Sequence, residues 1–220
     1  MSAAKNQLEA LQDIKQMMER SSRFISLSGL SGIAAGICAL VGAYFAYGII
    51  HPVGNDINLE RAASNYERYG SFNIPAFFAS PLFMIAIITF MAALVLAFAF
   101  TWLRSRKSNI PIWGSASRRL LINLFIPMLA GGIFIVKLVE NGVYGLIAPG
   151  CLIFYGLALV NASKYTIGEV RYLGYGQIIL GIINCWYIGY GLYFWAAGFG
   201  VLHIIYGALM WSKYERTPSV

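Results

Sequence analysis

From Tyr172 to Ser212 the chain carries no Asp, Glu, Lys or Arg. A hydrocarbon core of about 30 Å is crossed by roughly 20 helical residues. The stretch is too long for one crossing and fits two joined by a tight turn. The turn belongs near Ile188 to Phe194, where Gly189 and Gly191 cluster. Trp186 and Trp195 then flank it at one membrane face, with Trp102 and Trp211 at the other, as in an aromatic belt.

The same reading extends along the chain. Only 11% of residues are charged and 59% are hydrophobic, whereas a soluble domain is about one quarter charged. Apolar runs at about 24–50, 74–103, 120–136, 144–160, 172–188 and 194–211 predict six spans. The expected fold is all-α: a polytopic transmembrane helical bundle over 24–211, preceded by an amphipathic cytoplasmic helix in 1–23 and followed by a cytoplasmic tail at 212–220. In the first span Ser28, Gly32 and Gly36 lie four apart, a spacing that lets another helix approach closely. Pro127 interrupts the third span and frees the carbonyl of Asn123, which a neighbour must satisfy. Pro149–Gly150 predicts a kink in the fourth. The loop between the first two spans, His51 to Asn73, has room for a short helix around Leu59 to Tyr69.

Charge fixes the expected orientation. Thirteen of the 16 Lys and Arg fall on one side of such a bundle, in the N-terminal tail, the acid-free loop from Arg104 to Arg119, the loop with Lys164 and Arg171, and the C-terminal tail. Only Arg61, Arg68 and Lys137 fall on the other. This places both termini in the cytoplasm. The net charge of +7 is thus an orientation signal, and nucleic acid is not the expected partner. The first 23 residues are charged and amphipathic, unlike a signal peptide. Leu8, Leu11, Ile14 and Met18 form a narrow stripe. It is either part of a solvated lead-in helix or a contact for a second copy or a cytoplasmic protein. The bilayer is the other partner.

Few groups within the spans could carry chemistry. His203 is the ionisable residue nearest the middle of a span, and Asn184 reaches a similar depth. An intramembrane ionisable residue is a functional candidate by default, and histidine titrates near neutral pH. Two readings stand: a proton-sensitive or ligand-contacting site, and a neutral histidine bonded across the hairpin to Asn184 or a tyrosine, the second favoured. Asn123 and Gln177 read as helix-packing hydrogen bonds, and Asn123 joins His203 and Asn184 as a candidate intramembrane polar site. Lys137 and Glu140 form a candidate interface ion pair, three apart on one helical face. Cys38, Cys151 and Cys185 lie in apolar runs and make no disulfide framework or metal set. No catalytic constellation and no cofactor site stands out. Asp13 and Asp56, the sole aspartates, lie outside the spans, which excludes intramembrane aspartyl chemistry.

Tyr144-Gly145-Leu146, Tyr155-Gly156 and Ser163-Lys164-Tyr165 return in order as Tyr190-Gly191-Leu192, Tyr206-Gly207 and Ser212-Lys213-Tyr214. Descent from one duplicated hairpin and the sheer abundance of Gly and Tyr explain this equally well. The stretches Met18-Glu19-Arg20-Ser21-Ser22-Arg23-Phe24-Ile25-Ser26-Leu27-Ser28-Gly29-Leu30-Ser31-Gly32 and Gly198-Phe199-Gly200-Val201-Leu202-His203-Ile204-Ile205-Tyr206-Gly207 resemble an uncharacterised family of small bacterial multi-span membrane proteins. The resemblance covers nearly the whole chain and implies membrane residence, with no activity or site residues to carry over. The sequence therefore states no biochemical task. It favours a non-enzymatic sensing, regulatory or scaffolding protein, with a small transporter or channel using a polar site near His203 as the alternative.

Overall fold

The computed structural model describes residues 28–51, 77–108 and 113–214. The amphipathic stripe from Leu8 to Met18, the start of the first span, the loop helix around Leu59 and the tail beyond Tyr214 lie outside them. Among the described residues the fold is all-helical, with six helices. These are α1 (Gly29–Ile50), α2 (Pro81–Ser108), α3 (Ser115–Glu140), α4 (Ile147–Ala162), α5 (Val170–Trp186) and a composite α6, built from Gly191–Trp195, a π-helical Ala196–Leu202 and His203–Tyr214. Single 3₁₀ turns at Tyr144–Leu146 and Ile188–Tyr190 lead into α4 and α6. Five of the six are long and apolar enough to cross a membrane. The other is α5, with 17 residues, about 25 Å at 1.5 Å per residue.

Several boundaries differ from the hydropathy pattern, each for a local reason. α2 begins at Pro81, not at Ile74, because Ser80 caps it: the Ser80 hydroxyl accepts the Phe83 N–H at 3.3 Å, and proline suits the first helical position. α2 then runs past Leu103 through Arg104, Arg106 and Lys107, cations that favour a helix C-terminus. α3 extends beyond its apolar centre at both ends. Pro149 causes no interior kink, since α4 starts at Ile147 and a proline in the first turn removes no intrahelical bond. Asn161 belongs to the last turn of α4, not to a loop.

The interior is made of small residues and the exterior of large ones. Ala39, Ala43, Ala46 and Gly36 are buried on α1, while Phe45, Ile88, Phe98, Phe125 and Ile133 are exposed. Lipid-facing helices gain nothing by hiding large apolar groups from one another, so close backbone approach governs their packing. Two antiparallel crossings show this. On α4 and α5, a Cβ placed on Gly156 would stand 2.7 Å from the Gly174 carbonyl, and one on Gly174 2.8 Å from that of Gly156. On α1 and α6, a Cβ on Gly36 would stand 2.7 Å from the Gly200 carbonyl, and one on Gly207 2.6 Å from that of Gly29. α2 packs on α1, α3 on α4, and α6 lies between α1 on one side and α4 and α5 on the other.

The hairpins α3–α4 and α5–α6 run in the same sense, as successive hairpins of an alternating bundle do whether or not they are related. Both second helices follow a 3₁₀ turn, and Gly145 of the first turn lies against Ile188 of the second. Among the described residues, α6 alone contains a π segment.

Replacing Gly156 by Val is expected to destabilise the bundle by about 1–3 kcal/mol, the usual cost of overpacking. Gly132→Val, at a glycine with nothing within 4 Å of its Cβ position, is expected to be close to neutral. Thermal melts in detergent compare the two.

Candidate functional site

His203 begins the α-helical last part of α6 and is buried. Its Nδ1 lies 3.0 Å from the carbonyl of Gly198. A carbonyl can only accept, so Nδ1 carries the proton. Nε2 therefore presents its lone pair, and the Tyr155 hydroxyl from α4 donates to it at 2.8 Å. The geometry thus selects one neutral tautomer.

Gln177, fully buried on α5, completes the cluster. Its Nε2 donates to the same Gly198 carbonyl at 2.8 Å. Its 3.4 Å approach to His203 Nδ1 brings two donors to a shared acceptor. The Gln177 Oε1 has no hydrogen-bond partner among the described residues. A Cβ on Gly198 would stand 2.5 Å from that oxygen, so a larger residue there would displace the Gln177 amide. Phe199 covers the cluster, with ring centroids 5.1 Å from Tyr155 and 6.0 Å from His203, and Trp195 follows at 5.2 Å from Phe199.

The carbonyl that collects these bonds sits inside the π segment Ala196–Leu202. A π turn leaves one residue more per turn than an α-helix and is found preferentially at functional sites. Nothing in the sequence announces it, since no proline or charge interrupts this stretch.

The other candidate residues lie elsewhere. Asn184 is fully buried but two turns from Gln177 along α5. Its Nδ2 donates to the Tyr187 carbonyl at 2.9 Å and closes the turn into α6, while its Oδ1 is unpartnered among the described residues. It does not touch His203. Asn123 belongs to the α3–α4 contact: Asn161 donates from Nδ2 to the Asn123 carbonyl at 2.9 Å, the carbonyl that Pro127 frees. Asn123 in turn donates to the Arg119 carbonyl at 2.8 Å. Lys137 and Glu140 pair at 2.5 Å in an exposed position. The sequence does not mark Tyr155, Gly198 or Asn161 as site residues. Its one signal for Tyr155 was that a buried histidine needs a partner.

At the end of α6 a second polar contact ties it to α5. Lys213 Nζ and the Tyr214 hydroxyl both donate to Glu169 Oε1, at 2.6 and 2.7 Å. The Lys213 bond is the main cause holding the Glu169 carboxyl below its ordinary range. The described residues bring no three potential ligands together for a metal. A shallow hollow of about 620 Å³ on the outer face of α2 is lined by Ile87, Met91 and Val95 among other apolar residues, a surface suited to acyl chains.

Comparison with protein-family models, characterised proteins and solved structures finds no match to this chain.

Asn161→Ala is expected to lower stability by about 1 kcal/mol or more, because it strands a carbonyl at membrane depth. In a Pro127→Ala background, where residue 127 regains its N–H, the same change should cost clearly less. A double-mutant cycle from thermal melts measures the difference; equal costs would mean that Asn161 does not serve the proline break.

Proposed function

We propose that this chain is a six-span integral protein of a bacterial cytoplasmic membrane, with both termini inside, that senses or regulates rather than catalyses. The buried cluster of Tyr155, Gln177, Gly198 and His203 is its working part. The observation that carries this reading is the π segment, whose Gly198 carbonyl is held by two side chains at once.

The physical reasoning runs from local geometry to the membrane face. A π segment converts to an α-helix by passing its extra residue along the chain. His203 and all that follows would then rotate by about 100° and shift by about 1.5 Å relative to Trp195. Such a change cannot leave both the Tyr155 bond and the Lys213–Glu169 tie in place. An event at mid-membrane is thereby expressed at the end where Glu169, Arg171 and Lys213 lie. That end is cytoplasmic by the Lys and Arg distribution, and there the Leu8–Met18 stripe can meet a second copy or a soluble partner. Allosteric signalling needs two discrete arrangements coupled to separate sites, and a π segment supplies them. α5, though short, is apolar and takes its place as the fifth span.

Deleting Ala197 removes the extra residue. The shortened protein is expected to insert normally and to lose hydrogen-exchange protection around Glu169–Leu173 and Lys213–Tyr214, as read by mass spectrometry in nanodiscs. Unchanged exchange at that end would sink the reading. Orientation is checked separately: an external reporter fused at Asn65 should be active, and the same reporter after Asn109 or Val220 silent.

A further inference from the structure

We propose that the outward side of α2 binds an anionic phospholipid, with its phosphate on Arg106 and an acyl chain in the hollow over Ile88, Met91 and Val95. The site is separate from the His203 cluster and does not depend on it.

A single line of side chains makes the site. Ile88, Met91, Val95, Trp102 and Arg106 follow one another at intervals of three, four, seven and four residues. Within the helix Pro81–Ser108 this spacing keeps them on one face. That face turns away from the bundle. α2 meets α1 through another face, where Thr89 lies against Gly42, while Ile88, Met91, Val95 and Trp102 are exposed. The hollow runs from Ile87 to Leu96 and is lined by apolar side chains. Leu96 lies about 9 Å along the helix from Trp102, and Ile87 about 22 Å. One leaflet of hydrocarbon is about 15 Å deep. With Trp102 at the interface, where tryptophan is enriched, the hollow receives the lower half of an acyl chain.

The head end carries the charge. The Arg106 guanidinium lies over the Trp102 ring, 4.0 Å from its centroid. Stacking fixes the plane of the fork and leaves its N–H groups at the edges, where two oxygens of one phosphate fit. No carboxylate competes among the described residues. Their two acids, Glu140 and Glu169, are paired with Lys137 and Lys213, and the sequence has no acid between Glu67 and Glu140. Arg118 and Arg119, exposed near the start of α3, add positive charge at the same end.

This charge selects the occupant. Copies of the chain in one membrane share an orientation, so a twofold pairing on this face would set Arg106 opposite Arg106 at the same depth. Like charges repel there, and a phosphate neutralises them. A zwitterionic lipid offers the same phosphate with a cation attached, which the arginines repel. An anionic headgroup meets no such opposition.

Full-length protein in phosphatidylcholine nanodiscs is mixed with phosphatidylglycerol carrying a photoreactive diazirine in its acyl chain, and cross-linked residues are read by mass spectrometry. Cross-links are expected to gather at Ile88, Met91 and Val95. They should exceed those from phosphatidylcholine with the same chain by about fivefold, the effect of one cation beside an anionic headgroup. Arg106→Gln, shown to fold by its melting transition, should bring the two lipids to equal yields, whereas Arg106→Lys keeps the charge and most of the preference. Ala92→Phe places a ring in the hollow from the lipid side and should lower the α2 cross-links severalfold; it decides the matter if Arg106→Gln does not fold. The proposal is overturned by equal yields from the two lipids on the unaltered protein, by a preference that survives Arg106→Gln, or by cross-links spread evenly over outward residues such as Phe125 and Ile133. A photoreactive residue at position 91 that captures a second copy of the chain in place of lipid assigns the face to a dimer and overturns it as well.

Discussion

At each of two irregular places in this bundle, the Pro127 break of α3 and the π segment of α6, a side chain from a neighbouring helix donates to a backbone carbonyl. In hydrocarbon no water can do so, and an unsatisfied peptide group costs several kcal/mol. Pro127 frees the Asn123 carbonyl on α3, and Asn161 of α4 donates to it. In the π segment of α6 the Gly198 carbonyl accepts from Gln177 of α5 and from the ring of His203. The positions of the irregularities therefore decide which polar residues are buried, and the buried polar residues fix how the helices pair. Irregular backbone and buried polar side chains are one problem in this molecule.

The glycines serve the same constraint from the other side. A donor reaches across to a foreign carbonyl only if the helix axes are close. Gly156 against Gly174 brings α4 to α5, and the Gly29–Gly36 series brings α1 to α6. Small residues buy this closeness at the expense of side-chain contact, which leaves the larger apolar groups pointing outwards. The buried polar side chains among the described residues include Ser31, Gln177, Asn184 and His203.

This division explains what was legible in the sequence. Charge-free runs and the placement of Lys and Arg revealed a bundle of apolar helices, because burial in lipid acts on composition alone. Asn123 could be singled out because a proline four residues on has a fixed consequence. Its donor could not, since Asn161 reads as polar loop until α4 is seen to continue through it. His203 was visible as an unusual residue at depth. Tyr155 was not, because a contact between residues 48 apart follows no periodicity. Asn184 shares the depth range of His203 but spends its amide on the turn at Tyr187. The π segment has no compositional mark at all. Boundaries moved where caps, not hydropathy, decided them, as at Ser80–Pro81.

The reciprocal glycine crossings also govern how the molecule can deform. In each crossing the backbone of one helix sits in the notch of the other, so neither can roll or slide without driving a carbonyl into a Cα. α4 with α5, and α1 with the glycine face of α6, behave as two stiff boards. The second board meets the first along α6, whose ladder is wound one residue wider over Ala196–Leu202. His203 stands at the end of that wider stretch, where its ring meets Tyr155 of the other board.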